Sequence, residues 1–355
     1  MKNLRIKRAG LGFIVLTLFM LELSGQDYEL VWSEEFDGTS LNTNIWQYEV
    51  NGDGGGNNEL QYYTDRPVNL EVKDGILNII ARKEQYLGKE YTSARINTRG
   101  KLNIKYGKIQ ARMKMPYGQG LWPAFWMLGS SFESEGWPDC GEIDIMEMVG
   151  GDGKDNTIYS TLHWGPWVDG GHPNYGQSYT LPSGIFADDF HIIETEWNNN
   201  FVKTYCDGTL FYTIDISGQG LEAFHDLFFL IVNLAVGGNW PGSPDGTTVF
   251  PQYFQIDYIR LYQTPDMLLV HTPEEVKSDP SAVIYPNPFS DTMTIISQKP
   301  MDQIEILDST GRICSVYSGL NSVKHRIRTD GLVEGMYILK IKYEGMDFET
   351  VKIVK

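Results

Sequence analysis

Along most of the chain, apolar and polar residues alternate with a period of two, the spacing of a strand with one face buried and the other wet. Ile109, Ala111, Met113 and Met115 alternate in this way with Gln110, Arg112 and Lys114. Leu70 and Val72 lead through Lys73-Asp74-Gly75 into Ile76-Leu77-Asn78-Ile79-Ile80, which predicts a hairpin with an Asp-Gly turn. Phe201 to Tyr205, the turn Cys206-Asp207-Gly208-Thr209, and Leu210 to Ile214 predict a second hairpin. Phe228 to Val236 is a nearly continuous apolar strand, and Gln255 to Tyr262 closes the set. Long helical periodicity is absent. Short strands separated by Gly, Asn, Asp and Pro predict an all-β sandwich.

One strand breaks the rule that the buried face alone carries information. Gly141-Glu142-Ile143-Asp144-Ile145-Met146-Glu147-Met148 holds three carboxylates within six residues. Alternation puts Glu142 and Asp144 on one face and sends Glu147 to the other. One extra residue, a β-bulge near Met146, returns Glu147 to the first face. Three acids on one face are costly unless that face lines a wet cleft where they work. Hydrolysis of a glycosidic bond needs such acids: a retaining enzyme sets two carboxyl groups roughly 5 Å apart across the scissile bond. One attacks the anomeric carbon; the other protonates the leaving oxygen and then activates water.

The Gly141–Glu147 run resembles the active-site signature of glycoside hydrolase family 16, in the form with the inserted Met found in its laminarinase and agarase branches. The resemblance extends from about Tyr28 to Gln263. It implies a β-jelly roll whose concave sheet is crossed by a substrate cleft. It also implies that Glu142 is the nucleophile, Asp144 the assisting acid and Glu147 the acid/base.

Further stretches resemble the family at the expected cleft. Asn58-Glu59-Leu60-Gln61-Tyr62-Tyr63-Thr64 is similar to a segment lining the glycone side in laminarinase-like members. It follows the Gly-rich loop Asn51–Asn58, which lacks the Gly-Lys-Ser/Thr of a phosphate cradle. Strand spacing places Trp122, Ala124 and Trp126 on one face, and the resemblance makes the two Trp sugar platforms. Trp137 is a weaker candidate. The resemblance also brings Arg95, Asn233 and Trp240 to the cleft, and His163 to the acids. Trp164, Trp167 and His172 belong to a loop expected to form the other wall. In relatives, positions matching Glu35, a carbonyl near Gly75, and Asp257 bind a structural calcium ion. No organic cofactor is implied for catalysis.

Charge and composition agree with a neutral polysaccharide substrate. The net charge is −17; the first 25 residues carry +3, and residues 276–355 balance ten basic against ten acidic side chains, so the acidity falls on 26–275. A domain this acidic excludes nucleic acid and anionic membranes as partners. All nine Trp lie between Trp32 and Trp240. The three cysteines, Cys140, Cys206 and Cys314, do not suggest a disulfide framework, and free buried thiols are expected at Cys140 and Cys206. No Cys/His spacing suggests zinc.

The ends of the chain read as export signals. Lys2, Arg5, Lys7 and Arg8, the apolar run from Leu11 to Met20, and Ser24-Gly25 predict a signal peptide over 1–25. The catalytic domain is expected over 26–263, with a Pro-containing linker over 264–281. Residues 282–355, opening at Tyr285-Pro286-Asn287-Pro288-Phe289, are expected to form a small β-sandwich from short strands at Thr292–Ile296, Gln303–Asp308 and Met336–Tyr343. This module resembles the C-terminal sorting domain of the type IX secretion system. The expectation is therefore a secreted or surface-attached monomer that cuts internal β-1,3 bonds of a β-glucan and meets the type IX secretion machinery on export. Agarose and mixed-linkage glucan are alternative substrates, and a non-catalytic glucan-binding protein is the alternative of another class.

Overall fold

Alternation is realised as two large sheets packed by their apolar faces. The computed structural model describes residues 28–265, 267, 282–308, 312–343 and 349–355. The expected signal peptide, and most of the expected linker, lie outside the described residues. One sheet has seven strands, in the spatial order Asn174–Thr180, Thr157–His163, Glu142–Glu147, Leu121–Gly129, Phe228–Val236, Arg95–Asn97 and Gln47–Tyr48. The other has ten and includes Gly107–Lys114, His191–Trp197, Phe201–Cys206, Ile76–Tyr86 and Gln252–Gln263. This is the sandwich that the alternation anticipates and the β-jelly roll that the resemblance implies. Both predicted hairpins form, with Asp74 and Asp207 at positive φ followed by Gly75 and Gly208. Phe132–Glu135 forms a single helical turn.

The core lies between the sheets. Ile109, Ala111 and Met113 come from one side, and Phe125, Met127, Ile143, Ile145, Ile158 and Leu162 from the other; all are buried. Burying each large aliphatic side chain stabilises the fold by about 1.5–3 kcal/mol. The central strand Phe228–Val236 is buried at every position, as its apolar run requires. Cys140 and Cys206 are free and buried, whereas Cys314 is free and exposed.

The acidic strand contains the expected bulge. Against Leu121–Gly129, Glu142 faces Leu128, Asp144 faces Trp126 and Glu147 faces Ala124, with Ile145 left out of register. Against Thr157–His163, the register also shifts between Asp144 and Glu147. The extra residue is absorbed inward: Ile143, Ile145 and Met146 are all fully buried in the core. Glu142, Asp144 and Glu147 therefore share the outer face.

The tail is a five-stranded sheet with its own core of Met293, Ile295, Ile304, Ile306, Leu339 and Ile341. It departs from expectation in strand length. Thr292–Asp308 is one strand, and its register shifts between Ile296 and Met301 and again between Met301 and Gln303. Pro300, which has no N–H to donate, falls inside the first shift. Its partner Ile313–Arg328 was not anticipated, because its apolar residues are sparse and mostly exposed. Tyr285 and Ile296 pack with the large core, and Tyr285 OH and Lys324 Nζ both donate to Glu29.

Close strand approach also generates a test. A Cβ on Gly129 would sit 1.8 Å from the carbonyl oxygen of Cys140. Gly129→Ala is expected to lose about 1–3 kcal/mol or more of stability, as overpacked sites do. A lower midpoint in urea unfolding is the measurement that checks it.

Candidate active site

The outer face of the seven-stranded sheet forms one wall of a cleft of about 600 Å³. Glu142, Asp144, Glu147, Trp122, Ala124, Trp126, Arg95, Asn233 and Glu59 all line it. Adjacent strands supply them in register: Asn233 pairs with both Ala124 and Arg95, and Ala124 pairs with Glu147. Residues far apart in sequence thus converge through ladder pairing alone.

Each acid has a distinct environment. Burial pushes Glu147 up to about 8, and the neighbouring Asp144 charge adds to this; the indole of Trp122, donating Nε1–H to Glu147 Oε1 at 2.9 Å, opposes it. Glu142 is also raised, by burial first and by Asp144 next, but His163 and Arg95 both favour its ionised form. Asp144 is raised by burial. His163 Nε2 lies 3.2 Å from Asp144 Oδ2 and 3.9 Å from Glu142 Oε1. Three such carboxyls do not all ionise together. Both glutamates are raised, and their neighbours differ: His163 and Arg95 favour charge on Glu142, whereas Trp122 and His163 favour it on Glu147.

The aromatic and amide residues form a connected frame. Trp126 Nε1–H donates to Asn233 Oδ1 at 2.8 Å, and Asn233 Nδ2–H donates to Tyr63 OH at 3.3 Å. Tyr63 OH in turn donates to Glu59 Oε2 at 3.1 Å, which also accepts from Gln61 Nε2. Arg95 stacks over Trp126 at 4.9 Å and pairs with Glu49 at 2.9 Å. It is neither exposed nor unpartnered. Glu49 and Tyr63 line the cleft and escaped sequence reasoning as individual residues. Tyr63 lay inside the quoted Asn58–Thr64 stretch, but Glu49 had no local signal.

Three expected cleft residues stand slightly back. Asn58 donates to Asn239 Oδ1 at 2.9 Å and so ties two loops whose members Asn57 and Asn239 face the cleft. Trp240 packs edge-on to Trp122 at 5.6 Å and to Tyr159 at 5.0 Å. His163 lies against the acids. On the opposite wall, Trp137 and Trp167 line the cleft. Trp164 does not: its ring packs against Phe224 at 5.7 Å, on the large core.

The residues expected to hold calcium do not form a ready carboxylate cage. Glu35 grips the Arg260 guanidinium with both oxygens at 2.8 Å, and Asp257 pairs with Arg112. Each carboxylate thus has a cationic partner. Among the described residues, two trios set ligand-type atoms within 4.8 Å of one another. In Glu142, Asp144 and His163, burial favours the protonated carboxyls, which a metal would have to displace. In His191, Cys206 and Asp207, the imidazole already bonds Asp207 at 2.7 Å, and burial pushes the Cys206 thiol up to about 12.

Comparison with known proteins agrees with this geometry. Residues 54–260 match glycosyl hydrolases family 16, and residues 283–355 match the secretion system C-terminal sorting domain, which places the protein at the cell surface or outside the cell. The laminarinase catalytic domain of Thermotoga maritima is 48% identical, with a TM-score of 0.62, over 67% of this chain and 98% of that one. A beta-glucanase of Rhodothermus marinus is 38% identical over 71% of this chain and 93% of its own length. The clotting factor G alpha subunit of Tachypleus tridentatus is 40% identical over 66% of this chain, which spans only 34% of that subunit. With its bulged acidic strand, its register-matched cleft and these similarities, the chain belongs to glycoside hydrolase family 16.

Proposed function

We propose that the protein is a secreted, retaining endo-glycosidase that hydrolyses internal β-1,3 bonds of laminarin-like β-glucans. One observation carries this reading: the bulged strand sets Glu142 and Glu147 on one face in the cleft, with Asp144 between them and the Trp122 indole N–H on Glu147. The substrate class is supported by the laminarinase and beta-glucanase relatives and by Trp122, Trp126, Trp137 and Trp167 along the cleft. Action as a monomer is part of the same proposal.

The chemistry runs through two carboxyl groups and water. Glu142 attacks the anomeric carbon while Glu147 passes its proton to the glycosidic oxygen. The aglycone leaves and a glycosyl ester of Glu142 remains. Water then enters, Glu147 takes a proton from it, and the incoming oxygen displaces Glu142 with net retention. Asp144, buried beside Glu142, takes the protonated form as Glu142 ionises, because two adjacent negative charges repel in a dry site. Trp122 orients Glu147 through its indole N–H, and Trp126, fixed by Asn233, offers a ring face to sugar.

Reducing-end release by the full chain on laminarin, lichenan, agarose and carrageenan tests the reading. Release from laminarin is expected, and Glu142→Gln abolishes it while leaving the thermal unfolding transition in place. A Glu142→Gln protein that kept half the rate would remove Glu142 from its role. Release from agarose alone would overturn the substrate.

Glu147 gives a pH signature. Its proton is needed for departure of the aglycone, so kcat/KM falls as pH rises through about 8. Glu147→Gln loses that limb; on aryl glucosides whose leaving groups need no proton it is expected to give a burst of release followed by slow turnover, because the base for the incoming water is also gone.

Trp122→Phe removes a hydrogen bond that favours the ionised form of Glu147. The carboxyl rises further, and the basic limb moves to higher pH. A limb that moved down would contradict the contact.

A further inference from the structure

A second histidine stands behind His163. His163 Nδ1 and His172 Nε2 are 2.7 Å apart, so one proton lies between them. On its other side, His163 presents Nε2 to Asp144 and Glu142. His172 Nδ1 is buried and has no hydrogen-bond partner. Burial lowers the His172 pKa below its ordinary 6.5, so its ring is neutral near pH 7.

A neutral imidazole carries its proton on one nitrogen only. A proton on His172 Nδ1 would leave a buried N–H with no acceptor, a rare and costly state. The proton therefore sits on His172 Nε2 and is donated to His163 Nδ1. With Nδ1 accepting, His163 carries its own proton on Nε2, the nitrogen that faces the carboxyl pair. Asp144 Oδ2, buried, without a hydrogen-bond partner and 3.2 Å from that nitrogen, asks independently for a donor there.

We infer that His172 is a positioning residue: it fixes the tautomer of His163 so that the proton is carried on Nε2, the nitrogen nearest Asp144 and Glu142. This rests on the reading of that pair as the reacting carboxyls. The aromatic wall of the cleft holds His172 in turn. Trp137 packs edge-on to it at 4.6 Å and Trp167 stacks on it at 5.2 Å. Both Trp also line the cleft. A sugar resting on these rings thus meets the same loop that sets the proton on His163.

The tautomers are readable without substrate. Long-range ¹H–¹⁵N correlation spectra of the full chain, labelled at histidine, are expected to show a proton on Nε2 of both His163 and His172. His172→Phe keeps a ring between the two Trp but removes the donor. It is expected to release His163 into mixed tautomers and to lower kcat roughly 10–100-fold, the range for loss of a group that orients a working histidine. KM should change little. His172→Gln, whose side-chain N–H₂ reaches the same nitrogen, is expected to restore the Nε2 proton of His163 and most of kcat. Thermal unfolding of both variants separates this effect from loss of fold. A wild-type His163 protonated on Nδ1 with a bare Nε2 would overturn the inference. So would full kcat in His172→Phe, or a His172→Gln protein no better than His172→Phe. If the tautomers are as expected but no glucan is cut, the positioning role stands and the assigned activity falls.

Discussion

The cost of desolvating three carboxyl groups on one strand governs this structure. An ionised carboxylate moved away from water loses several kcal/mol unless cations or donors replace the lost hydration. Asp144 is almost fully buried, and burial is the first cause of the upward shift in each of the three acids. The site answers unevenly. Glu142 has His163 and Arg95 to favour its charge, whereas Glu147 has a neutral indole donor and His163. That inequality gives one strand both an attacking group and a proton donor.

The same strand must also anchor the sandwich. Ile143, Ile145 and Met146 fill the core from its inner face, so the acids cannot rotate away without emptying it. The bulge reconciles the two demands. It spends one residue to bring Glu147 back to the acid face and places both residues at the irregularity in apolar packing. A regular strand of the same composition would bury Glu147 in the core, where nothing pairs with it.

Around the acids, aromatic rings serve as hydrogen-bond donors as well as sugar surfaces. Trp122 ties to Glu147, Trp126 ties to Asn233, and Arg95 lies over Trp126. Locked side chains of this kind hold charge positions without reorganising during reaction. They also leave ring faces toward the cleft. The opposite wall repeats the pattern, with Trp137 and Trp167 packed on a histidine that touches His163.

The alternation of residues by itself determined the two sheets, the Asp-Gly hairpins and the acidic face, because side-chain period and turn chemistry are local properties. The inserted Met was enough to place the bulge. The resemblance in the flanking stretches located Trp122, Trp126, Arg95, Asn233 and His163. What pairs with what was decided only by the tertiary structure. Glu49 reaches Arg95 across 46 positions of sequence, and Glu35 reaches Arg260 across 225. Trp164 turned to the core although its neighbour Trp167 faces the cleft. The same long-range pairing sets Arg260 beside Glu35 and Arg112 beside Asp257, which no local pattern announces. A charge is written in the sequence, but its dielectric surroundings and its partner come from strands that meet only when the chain has folded.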